Sequence, residues 1–202
     1  MHASALTKLG GLGALVGGVV WLLTLALAQF VSRDLDAILP IALLLMVNGV
    51  VGLQARHAGR MGALGGVGLG LSLIGATLLA FGSVGETVVT PRILGTSLAP
   101  FTIGGLAPGA LLFGVGVTLS AHGALIADAL PRLSPIALLV GAVGVATAGG
   151  LTLANQVVSG TTADVVPFEI VVPVVLWAVF GVAWIWIGSL LWSERLPPDI
   201  AR

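Results

Sequence analysis

Every formally charged side chain, 8 Lys or Arg and 8 Asp or Glu, falls outside six uncharged stretches that together cover two thirds of the 202 residues. These stretches are residues 9–31, 37–54, 62–84, 102–127, 136–158 and 170–192. Each is close to the roughly 20 apolar residues that cross a hydrocarbon core of about 30 Å. In hydrocarbon the backbone must satisfy its own hydrogen bonds, which leaves α-helices or closed β-barrels. Barrel strands alternate polar and apolar residues, and runs such as Ile41-Ala42-Leu43-Leu44-Leu45-Met46-Val47 do not. The expected fold is therefore an all-α, polytopic membrane bundle of six transmembrane helices in one domain, residues 1–202.

Composition excludes several function classes. Only 8% of residues are charged, against about 25% in a soluble domain. With a formal net charge of +0 there is no basic excess to neutralise a nucleic-acid backbone. The chain has no Cys, so disulfides, thiolate metal sites and Cys nucleophiles are out. Zinc-protease, hydrolase-elbow and Walker signatures are absent. The Gly-x-Gly pattern of Gly66, Gly68 and Gly70 lies inside a span, where it cannot cradle phosphate. A retinal Schiff base is excluded because the sole lysine, Lys8, precedes the first span. No enzyme is expected, because no set of acid, base and nucleophile is visible.

Lys8, Arg56, Arg60, Arg132, Arg195 and Arg202 would fall on one side of the membrane, and only Arg33 and Arg92 on the other. Cytoplasmic loops are enriched in Lys and Arg, so both termini are expected in the cytoplasm. Cleavage after Ala26-Leu27-Ala28 as a signal peptide is the competing reading of the first span, whose apolar run exceeds the usual signal core. The bias toward Gly, Ala, Leu and Val, with seven Arg to one Lys, is the composition of membrane proteins from GC-rich prokaryotes. The expected location is a prokaryotic plasma (inner) membrane. Pro108, the deepest of the span prolines, is expected to kink the fourth helix. Pro40-Ile41-Ala42-Leu43-Leu44 and Pro135-Ile136-Ala137-Leu138-Leu139 hint at a three-plus-three inverted repeat, although a five-residue match arises easily by chance here.

Few side chains inside the spans carry chemistry. His122 is the one ionisable group there, a candidate ligand for a metal or macrocycle, or a structural imidazole. Asn48 is the next polar group at depth and could meet His122 in the same half of the bundle. Trp177, Gly181, Trp184 and Gly188 recur on one face of the last helix. That face suits either a flat ligand or close helix packing. At the outer face Gln29, Asp34, Asp36, Glu86, Arg92, Asn155, Gln156, Asp164 and Glu169 form a candidate polar vestibule, with solvated loop charges as the plain alternative. Gly62, Gly66 and Gly70 make a candidate packing stripe on the third helix, for association within the chain or with a partner.

These features favour a non-enzymatic assembly or accessory subunit of a membrane complex, with lipid, other membrane subunits or its own copies as partners and no cofactor. A small-solute or ion transporter is the alternative, and a pigment, haem or lipid binder comes third.

Overall fold

The structure, a computed structural model, describes residues 3–30, 38–57, 60–85, 105–128, 130–159 and 167–193. These residues form six helices and no strand: α1 (Ala3–Phe30), α2 (Leu39–His57), α3 (Gly62–Val84), α4 (Ala107–Ile126), α5 (Leu133–Ser159) and α6 (Pro167–Trp192). Five contain apolar stretches long enough to cross a membrane: Ala5–Leu27, Gly62–Val84, Ala107–Ile126, Leu133–Ala154 and Val175–Trp192. In α2 the apolar stretch Ile41–His57 is shorter.

Each helix packs antiparallel on its chain neighbours, and α6 closes on α1. The register follows from glycines: Gly10 meets Gly52 and Gly17 meets Ala42 between α1 and α2, while Gly11 meets Gly188 and Gly18 meets Gly181 between α1 and α6. Because Gly11 also meets Trp192, the start of α1 and the end of α6 share one face of the bundle, called the terminal face below. A sequentially ordered ring does not fit the inverted repeat. A rotation that flips three helices onto the next three reverses their circulation, whereas here the circulation from α1 to α6 is unbroken.

Small contacts between α2 and α6 stop the ring from being hollow. Trp184, Phe113, Phe180, Met46, Leu138, Ile187 and Val117 are fully buried and fill it. Phe180 is the hub: Trp21, Phe113 and Trp184 stand edge-on to it at centroid distances of 5.8, 6.0 and 6.0 Å. Such edge-to-face geometry sets the positive rim of one ring against the negative face of the next. Gly141 of α5 makes room for the backbone of Phe180. Outside, the bundle exposes Leu9, Leu23, Ile41, Val67, Ile74, Phe81, Leu151 and Val182. An apolar surface around the outside of a bundle suits lipid tails as its solvent.

Pro108 does not kink α4. The helix begins at Ala107, which puts Pro108 in the first turn, where the missing amide hydrogen has no intrahelical acceptor to lose.

Candidate interior polar site

Most of the polar candidates read from sequence lie away from the interior. His122 is exposed on the outer surface of α4, and Thr118 one turn earlier donates its hydroxyl to the Gly114 carbonyl at 2.7 Å. Asn48 is exposed as well and donates its amide to the Leu44 carbonyl of its own helix at 2.8 Å. The expected approach of Asn48 to His122 does not occur, since both are outward-facing on helices that are not neighbours. Among the described residues no three His, Asp or Glu side chains gather where they could hold a metal ion.

The Trp/Gly face of α6 is covered by other helices. Gly181 lies against Leu22 and Trp21, and Gly188 against Leu15 and Gly11. Trp177 stands edge-on to Trp21 at 6.3 Å, and its carbonyl accepts the Trp21 indole N–H at 2.9 Å. Trp184 sits over Gly49 of α2. The slot that a flat ligand would need is occupied by α1 and α2.

Of the two roles expected for Gly62, Gly66 and Gly70, packing within the chain does not occur: a Cβ placed on any of them meets nothing within 4 Å. The face of α3 that packs is rotated from theirs and runs through Gly65, Gly68, Ser72, Gly75 and Gly82. It meets Gly105, just before α4, and Gly109, Gly116, Ser120 and Gly123 of α4. Spacings of three and four identify both rows equally well, because they report that small residues share a face and not which way the face points.

Of the vestibule, Asp34, Asp36, Glu86, Arg92 and Asp164 lie outside the described residues. Gln29, Asn155, Gln156 and Glu169 belong to α1, α5 and α6, with side chains outside the description.

What the structure brings inward is a different set of polar atoms in the half of the bundle nearest the terminal face. Gln54 Oε1 of α2, Ser120 Oγ of α4 and Trp184 Nε1 of α6 are buried without a hydrogen-bond partner. His57, at the end of α2, is only 3% exposed. Two of these orphaned atoms abut α3 one turn apart. A Cβ on Gly65 would lie 2.6 Å from Gln54 Oε1, and one on Gly68 would lie 2.5 Å from Ser120 Oγ. The crossing is nearly reciprocal, since a Cβ on Gly116 would lie 2.7 Å from Ser72 Oγ. The outcomes differ, however: Ser72 donates to the Gly68 carbonyl at 2.8 Å, and Ser120 finds no acceptor. Leaving such a group unsatisfied costs on the order of 1–3 kcal/mol.

Local structure ties this region down. Arg60 reaches from the α2–α3 turn to donate to the Ala127 carbonyl at 2.8 Å. Asp128 ends α4 with φ 50°, and its amide returns to the Leu125 carbonyl at 3.2 Å. Asp is among the residues that adopt this left-handed conformation most readily. Gln54, His57 and Ser120 escape sequence reasoning because Ser is common in membrane helices and Gln54 and His57 sit beside Arg56, where polarity reads as an interface.

The site can accept and donate hydrogen bonds. Its unpartnered buried atoms are an amide oxygen, a hydroxyl and an indole N–H. Comparison of the chain with family models, with curated proteins and with solved structures finds no match.

Proposed function

We propose that the protein is a non-enzymatic, six-span protein of a prokaryotic plasma membrane, with both termini cytoplasmic, that serves as an assembly or accessory subunit. The observation that carries this reading is the open stripe of Gly62, Gly66 and Gly70 on α3, uncovered within the chain. Leu73 continues its face and Val67, Ile74 and Phe81 lie exposed along one side of it. Apolar side chains gain little by leaving lipid for one another, so helices associate where small residues let backbones approach closely. An exposed glycine row offers that approach to a helix of another subunit or a second copy. Inside the bundle, packing around Phe113, Phe180 and Trp184 leaves the structural role better supported than a route for solute.

The test compares Gly66→Leu with wild type for particle mass in mild detergent and for thermal unfolding. Wild type is expected to run as a complex, and Gly66→Leu to lose the partner without a fall in melting temperature. Equal masses for both would refute the assembly role of this face. The transporter reading keeps one specific observation in its favour, the orphaned polar atoms of Gln54 and Ser120.

A further inference from the structure

We infer that two copies of this chain pair through the outward side of α2, their Asn48 side chains hydrogen-bonded to each other across a two-fold axis deep in the membrane. The surface lies on α2 and not on the open glycine stripe of α3, so either proposal can fail without the other. Asn48 stands nine residues from Leu39 and nine from His57, which places it about 13.5 Å from each end of α2 at 1.5 Å per residue. The neighbouring helix fixes the same depth. A Cβ on Gly13 of α1 would lie 2.9 Å from Asn48 Cβ, and Gly13 is eight residues inside the apolar stretch Ala5–Leu27. Lipid at that depth offers an exposed side chain no hydrogen bond. Asn48 is nonetheless exposed, and its one hydrogen bond among the described residues is the donation to the Leu44 carbonyl. A carboxamide has two N–H donors and an acceptor oxygen, so one N–H and Oδ1 are left over. The exposed hydroxyls of Thr77, Thr152 and Ser189 differ, since each gives its single donor to its own helix.

The residues around Asn48 identify the partner. Ile41, Leu44, Asn48, Val51 and Ala55 follow one another at spacings of three, four, three and four, the repeat of a coiled-coil seam. Ile41 and Leu44 are 56% and 49% exposed, and Val51 and Ala55 are partly exposed, so the bundle itself leaves this seam open. A β-branched residue such as Ile41 at the first seam position with Leu44 at the second favours two strands, and a single Asn at the first position fixes their register. Copies inserted in one membrane share an orientation, so their two-fold axis runs along the bilayer normal. Each residue beside that axis then meets its own copy at the same depth. Across it the remaining N–H of each Asn48 donates to Oδ1 of the other, and both leftover groups of each carboxamide are satisfied. Interhelical hydrogen bonds of this kind help hold membrane helices together. A different subunit would need a polar group of its own at this depth, whereas a second copy brings one.

Because the chain lacks Cys, single thiols report the pairing directly. Leu44→Cys, Val51→Cys and Leu151→Cys are oxidised in membranes with copper phenanthroline, and the covalent dimer is measured on a denaturing gel. Positions 44 and 51 are expected to give at least tenfold more dimer than position 151, which is exposed on α5. Dimer no greater at 44 and 51 than at 151 would overturn the proposal. Adding Gly66→Leu to Leu44→Cys separates the two faces. The cross-link is expected to persist, and its loss would mean that the copies pair through α3 instead. A third comparison tests the carboxamide itself. In the Leu44→Cys background Asn48→Val is expected to reduce the dimer at least fivefold, and Asn48→Gln to restore part of it. Undiminished cross-linking in Asn48→Val would refute the paired amides.

Discussion

A methyl group added at Gly75 would drive a carbon into the backbone of Phe113, whereas at Gly70, five residues earlier on the same helix, it would meet nothing within 4 Å. Gly75→Ala should therefore cost about 1–3 kcal/mol, the usual range for overpacking, while Gly70→Ala should be neutral or slightly stabilising through helix propensity. Thermal unfolding in mild detergent checks the pair, and equal shifts would mean that the α3–α4 register is wrong. His122 belongs to the tolerant class as well. It is exposed on α4, so His122→Gln should change stability by no more than about 0.5 kcal/mol. At this scale the sequence identifies residue types and their spacing, but not direction. Gly66 and Gly68 look alike in the sequence, and only their neighbours separate an outer groove from a helix crossing.

The ends of elements were partly legible. Pro108 marks the start of α4, and the helix begins one residue before it because proline fits a first turn without loss of a hydrogen bond. The other end of α4 depends on a contact 67 residues distant in sequence, Arg60 to the Ala127 carbonyl. A cation at a helix C-terminus satisfies a free carbonyl and opposes the negative end of the dipole. Arg60→Ala should lower stability by roughly 0.5–1.5 kcal/mol, read as a drop in melting temperature that Arg60→Lys partly restores. Should Arg60→Ala melt like wild type, the clamp is a surface contact with no net value. The polar end of α2 was equally visible, since Gln54, Arg56 and His57 crowd it. That His57 turns inward was not.

At the scale of the whole molecule the ring order brings the first turns of α1 against the last turn of α6. Among the described residues the basic side chains Lys8, Arg56, Arg60 and Arg132 sit at helix ends or turns on that same side. Under the positive-inside rule a reporter fused after Arg202 should be active in the cytoplasm, and one inserted between Glu86 and Arg92 should be active only outside. The reverse pattern would invert the proposed topology.

By itself the sequence determined the solvent. Confining all charge to the gaps between long apolar runs leaves helices in lipid as the way to satisfy the backbone, and the run lengths set how many helices to expect. The tertiary structure decided which surface each helix shows to lipid and which to its neighbours. A soluble helix announces its buried face by the contrast between apolar and polar residues, but a helix that is apolar all round carries no such contrast. In that setting the choice falls to backbone approach and to the few polar atoms that packing draws inward. Gly68 over Gly66, and Ser120 and Gln54 over His122 and Asn48, are therefore outcomes of helix packing that the one-dimensional pattern does not encode.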